Sequence, residues 1–374
     1  MKLVIRNIPI YLAYYVLPLI SFLYGITIGG KCLNYEIIWL FLLPVIVVLV
    51  GKQTLSCKVF ACMSIVLFLF LCKYIFPILW VESITWRAFL IDVKWICYLL
   101  LALLWINSSG GLDTIKFYRA GRNFCYLYIL YFLLLVLKNG EYHRFELLSE
   151  SNYDCFLFLM PFCFIREAKG SRRDYWAFGL ATFLSGSKTG IVSFLVLLLY
   201  PFYQRSRYKF FYWLFFFLCI IGYAYFYFIR RGIGDIDRVL FFAQFFEYLR
   251  GSDWFTLLGG IFPGNAMEFH QILPEFTWYI NHFENLNGIT GCYPFYFHST
   301  YMRLAIVWGL PLVLLLIIGL LVVFFKTKDT SFRHLILLFF LESISLSSLS
   351  LTTVSLIFFL IFLTVAFRKP TFNT

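Results

Sequence analysis

Two short stretches of this 374-residue chain carry side chains whose types and spacing suit chemistry at a surface. The first is Ser185-Gly186-Ser187-Lys188-Thr189-Gly190, at the turn between two apolar blocks. Gly186 and Gly190 let backbone amides approach an anion closely, and Lys188 sets a cation beside them. The plainer alternative is a lysine at a helix end whose ammonium snorkels to the surface. The stretch is not a nucleotide-binding P-loop, because it lacks the glycine that opens that frame. The second is His298-Ser299-Thr300-Tyr301-Met302-Arg303, which enters another apolar block and is followed by Trp308-Gly309-Leu310-Pro311. A neutral imidazole there can take a proton from a sugar hydroxyl near neutral pH. A histidine at such a boundary also serves as a structural hydrogen-bonder.

Other polar residues fit structural roles. Asp92 and Lys94 share one apolar block and are expected to pair. Glu342 is a candidate by its place in an apolar block alone, and His334 stands at a helix start. His270 and His282 lack metal-ligand spacing.

The elements that position these residues are set by composition. The chain is 62% hydrophobic and 13% charged, against roughly 45–50% and 25% in soluble domains. The excess recurs in blocks at about 8–28, 35–50, 59–80, 87–107, 123–138, 153–166, 175–186, 188–203, 209–229, 303–325, 334–347 and 351–367. Many approach the length that spans a hydrocarbon core. Helices are the expected form, since lipid leaves no partner for free backbone groups, and the alternation of a membrane barrel is absent. The expected fold is an all-α polytopic membrane protein with about 12 (10–12) spans.

The net charge of +12 does not indicate a nucleic-acid partner, because Lys and Arg cluster between apolar blocks. Most of the ten cysteines lie inside apolar blocks and none forms a CxxC pair, so neither disulfides nor zinc are expected. The start, Met1 to Arg6 followed by an apolar run, lacks a small-residue cleavage site and is expected to stay as the first span.

With both termini on the cytoplasmic side, the clusters at Lys52/Lys58, Lys116/Arg119/Arg122, Arg166–Arg173, Arg205–Lys209, Lys326–Arg333 and Arg368/Lys369 all fall inside. Arg230-Arg231 is the exception. It opens a long outer segment, 230–300, with four arginines and seven acids. Three parts follow: membrane helices over 1–229, a large periplasmic loop over 230–300, and C-terminal helices over 301–374. In the loop, Asp235-Ile236-Asp237 is expected to cap a helix running through Arg250. Its many apolar residues place it at the membrane interface. Leu258-Gly259-Gly260 and Pro263-Gly264 mark tight turns.

These stretches, in this order, resemble the O-antigen ligase/polymerase superfamily. That family carries a Ser-Arg-Thr-Gly-like turn, then a long outer loop with an arginine-bearing helix and a glycine-rich stretch. A His-(Asn/Ser)-x-Tyr entry follows, with Gly-Leu-Pro-Gly downstream. Here they are Ser187-Lys188-Thr189-Gly190, Asp237-Arg238-Val239 through Leu258-Gly259-Gly260 and Pro263-Gly264, and His298-Ser299-Thr300-Tyr301 with Gly309-Leu310-Pro311-Leu312. The resemblance covers about 180–312; the first half is similar in hydropathy only. Lys188 replaces the usual arginine, keeping charge but losing the bidentate fork, and Ser299 and Leu312 depart from the usual Asn and Gly.

The resemblance implies a GT-C-like glycosyltransferase in the bacterial inner membrane, with its active site facing the periplasm. It would take undecaprenyl-diphosphate-linked oligosaccharides from membrane lipid, with no cofactor and no metal. The phenylalanine excess is more like that of the polymerases than the ligases. Arg238 would bear the leaving diphosphate, with Lys188, Arg303, Arg230 and Arg231 as further contacts, and His298 would be the general base. A polysaccharide chain-length regulator is a candidate partner. The alternatives are an O-antigen ligase and, from another class, a lipid-linked oligosaccharide flippase. No internal repeat of the transporter kind accompanies the latter.

Overall fold

The computed structural model describes residues 6–28, 36–50, 55–80, 84–141, 145–205, 209–211, 214, 217–218, 221, 237–287, 290–349 and 351–368. Among them the chain is all helical, with no strand. Four helices are long and apolar enough to cross a membrane: α1 (Ile8–Thr27), with α3 (Cys57–Ile78), α4 (Trp86–Ser109) and α5 (Thr114–Asn139). Between them α2 (Glu36–Val50) carries Pro44 inside it. The apolar blocks expected at 8–28, 35–50, 59–80, 87–107 and 123–138 are therefore helices. Most of the ninth block, 209–229, lies outside the described residues.

Shorter helices follow: α6 (Ser151–Phe162), α7 (Arg172–Leu184) and α8 (Lys188–Arg205). Every residue of α6 but Tyr153 is buried, as expected of a helix apolar on all sides that is enclosed by others. Asp154 starts it well: its carboxylate accepts from the amides of Leu147 (2.8 Å), Leu148 (3.2 Å) and Ser149 (3.2 Å). A capping box of Ser171 and Asp174 opens α7.

The segment between α8 and the C-terminal helices holds α9 (Asp237–Gly251), α10 (Trp254–Gly259) and α11 (Pro274–Asn287). The apolar face expected to lie on the membrane is instead largely used within the segment. Leu240, Phe241, Phe245 and Tyr248 pack with Phe276, Tyr296 and Phe297. Gln244, fully buried, bonds the Gln271 carbonyl (3.0 Å) and the Leu273 amide (2.8 Å). Phe246 remains exposed.

The tenth block, expected as one helix over 303–325, is two: α12 (Thr300–Trp308) and α13 (Leu310–Lys326). Gly309 breaks it at φ 84°, a left-handed value that favours glycine. Pro311 then sits in the first turn of α13, where its missing amide is harmless. α14 (Thr330–Ser345) and α15 (Thr352–Ala366) complete the chain.

At 1.5 Å per residue α4 is about 36 Å long, whereas α14 and α15 are about 24 and 22 Å. The Tyr98 hydroxyl, halfway along α4, bonds Thr352 at the start of α15 (2.7 Å). Near the other end of α15, Thr364 accepts from the Leu112 amide just beyond α4 (3.0 Å). The α14–α15 junction therefore lies level with the middle of α4. Toward the Trp86 end, the segment holding α9–α11 packs at the start of α4, where the Thr85 amide donates to the Gly264 carbonyl (2.9 Å) and its hydroxyl bonds Tyr293 (2.8 Å).

Candidate functional site

The His298 turn is built by what precedes and follows it. Phe297 and Ser299 are extended, and the Ser299 hydroxyl accepts from the Met302 amide to cap α12. His298 is half-buried, and its ring meets Phe241 of α9 edge-on at 5.0 Å. Phe241 stands one helical turn beyond Arg238, so the start of α9 comes to His298. Arg238 lies in the first turn of α9, and its side chain is outside the described residues, as are Arg230 and Arg231 altogether.

The Lys188 turn is fixed by its serines. Ser185 donates to the Thr182 carbonyl (2.6 Å) and accepts from the Ser187 amide (3.2 Å), while Gly186 takes φ 62°. Ser187 caps α8 by accepting from the Gly190 amide (3.1 Å). A Cβ on Gly190 would collide with the Cys155 sulfur, so glycine here lets α8 lie against α6. Lys188 is exposed.

The end of α14 joins the two turns. Thr189 Oγ1 and Ser345 Oγ share a 2.6 Å hydrogen bond. Ser299 donates to the Ser343 carbonyl (3.1 Å), and Ser347 donates to the Phe297 carbonyl (3.0 Å). The Thr300 amide and hydroxyl both donate to the Leu346 carbonyl (2.9 and 2.8 Å), and the hydroxyl accepts from the Ser348 amide (2.8 Å). His298, two residues from Thr300, is thus carried to the α14–α15 junction. Sequence reasoning missed this role of Ser343, Ser345, Ser347 and Ser348. The available signal was four serines within six residues at the end of an apolar block.

Arg303 is elsewhere. It is buried one turn into α12, and its Nε donates to Asp92 Oδ1 of α4 (3.1 Å), with Nη2 on the same oxygen. Asp92 forms its ion pair with Arg303, and the Lys94 charge expected to pair with it acts on the same carboxyl. Residues two apart on a helix do not face each other, whereas α12 lies across from Asp92. With its guanidinium held by Asp92, Arg303 supports the fold beneath the site.

The two glycine stretches meet each other. Gly260 (φ 69°) lies against Val307, where a Cβ would strike the carbonyl, and Gly309 lies the same way against Leu258. The Ile261 amide donates to the Ile306 carbonyl (2.8 Å), Lys73 donates to the Gly259 carbonyl (2.6 Å), and the Thr85 amide to the Gly264 carbonyl (2.9 Å). The loop after α10 thereby pins the far end of α12 to α3 and α4. This backbone-to-backbone approach explains the glycine density.

Burial pushes the Cys292 thiol and the Tyr296 phenol up, so both stay neutral and neither is an activated nucleophile. The groups left for chemistry are a half-buried imidazole, an exposed ammonium on a turn tied to it, and the arginine-bearing start of α9. An imidazole can accept a proton and an ammonium can hold an anion. No family model, curated protein or solved structure matches the chain.

Proposed function

We propose that this chain is a membrane glycosyltransferase of the O-antigen polymerase kind. It would move a glycan from undecaprenyl diphosphate onto the sugar of another lipid-linked repeat unit. The observation that carries the reading is the joining of the Lys188 turn, the His298 turn and the start of α9 around the end of α14. These are the stretches that resemble the O-antigen ligase/polymerase superfamily, and they are separated by up to 110 positions in the chain.

In the proposed reaction His298 removes the acceptor hydroxyl proton as the oxygen attacks the anomeric carbon. The bond to the diphosphate breaks, and the negative charge develops on that leaving group. Arg238 and Lys188 stabilise the charge more in the transition state than before it. Arg303 acts as a positioning residue through Asp92. Twelve crossings, with both termini in the cytoplasm and the His298 and Lys188 turns facing the periplasm of a bacterial inner membrane, complete the reading. Its support is the distribution of basic clusters.

Deletion of the gene in its host, followed by electrophoresis of the lipopolysaccharide, tests the reading. Core bearing one repeat unit and no ladder is the expected result. Bare core would overturn it, in favour of a ligase if polymer accumulates on the lipid carrier and of a flippase if none reaches the periplasm.

A further inference from the structure

At the end of the bundle opposite the His298 turn, a cavity of about 520 Å³ opens among the starts of α1, α3 and α5 and the ends of α4 and α15. It falls in the range of small-molecule sites, ~300–1,000 Å³. Arg6 and Arg368 both line it. The contacts described leave much of each guanidinium, with its five donors, unused. Arg6 Nη2 stands 3.6 Å from Asp113, and its buried Nε has no partner among the described residues. Arg368 reaches Glu167 (3.0 Å) and the Thr114 hydroxyl (2.7 Å).

Asp113 is the acid in the lining, and it is already engaged. Its carboxylate accepts from the Ile115 and Lys116 amides (both 3.1 Å) and caps α5, where the helix dipole offsets its charge. Each arginine thus faces one carboxylate, Arg6 that of Asp113 and Arg368 that of Glu167, and both keep donors to spare for a further acceptor. Another wall is apolar, formed by Val59, Ile106 and Phe367. Val59 belongs to α3, the most exposed of the four long apolar helices. The cavity therefore offers cationic donors beside an apolar surface next to the helix that faces lipid.

We propose that this cavity binds the phosphate of an anionic phospholipid, with the glycerol and first methylenes along Val59, Ile106 and Phe367. Basic pockets between membrane helices take such headgroups. The site is independent of the reaction proposed above, and its test does not read activity.

The full-length protein, stripped of lipid in detergent, would be melted with phosphatidylglycerol, phosphatidylcholine or inorganic phosphate. Phosphatidylglycerol is expected to raise Tm by a few degrees and the other two to leave it unchanged. Ile115→Trp places a ring at the mouth of the cavity while keeping both arginines and their ion pairs, and Arg6→Gln with Arg368→Gln removes the cations. Both are expected to abolish the rise, and Ile115→Trp decides if the double variant fails to fold. An equal rise with phosphatidylcholine, or a full rise in Ile115→Trp, would overturn the proposal. An equal rise with inorganic phosphate would replace the lipid by a soluble phosphate ligand.

Discussion

The helices α3 and α15 are both strongly apolar, yet they do opposite things. α3 has 22 residues and keeps most of its surface exposed. α15 has 15 residues and is buried without interruption from Thr352 through Ile361. Length alone does not set this: α4 and α5 are about half buried, whereas the short α13 keeps only Val313 buried. Position in the bundle separates α6 and α15, enclosed by other helices, from α3 and α13 at its outside. The short central pair, α14 and α15, stops level with the middle of α4, and the His298 turn packs on its end. A second contrast lies within the polar groups. The deep charged pair, Asp92–Arg303, is consumed by structure, whereas Lys188 and His298 sit on turns held by neutral hydroxyls.

That division can be broken in order of expected effect. Asp92→Ala leaves Arg303 buried without its counter-ion and is expected to cost about 3–5 kcal/mol. Melting in detergent reads this as a large fall in Tm, with output of polymer lost alongside folding. Gly309→Ala is expected to cost about 1–3 kcal/mol, because the left-handed backbone is strained and the Cβ meets the Leu258 carbonyl. The same melt should find it milder than Asp92→Ala. Lys188→Ala should leave Tm unchanged and cut polymer output, whereas Lys188→Arg should keep most of it. Equal loss in both would show that geometry, not charge, matters at this position. Thr189→Val removes the hydroxyl link to Ser345 and is expected to cost about 1 kcal/mol. A gel densitometry comparison should show a smaller loss of ladder than in Lys188→Ala.

Much of this organisation was legible because apolar length and turn chemistry are local. The described blocks became helices, and Asp237 stands at the start of the helix through Arg250. What was not legible is non-local. The partner of Asp92 is 211 positions away, so sequence proximity pointed to Lys94 instead. Gly259-Gly260 read as a tight turn, although its meaning is a close approach to the backbone around Gly309. Hydropathy read 303–325 as one span, because the left-handed break at Gly309 costs no apolar residue. The serines at the end of α14 carried no reading, since their partners lie on two other turns. The apolar face of α9 read as membrane-facing because nothing local distinguishes burial in lipid from burial against Phe276 and Phe297.

The division between structural and reactive groups rests most on His298. His298→Ala, produced at wild-type level and inserted normally, should melt like the parent, because the imidazole packs on Phe241 at a half-exposed position. Loss of a general base lowers rate by roughly 10²–10⁴-fold, so the lipopolysaccharide gel should show core with a single repeat unit and no ladder. A full ladder from a stably inserted His298→Ala protein would contradict the proposed site.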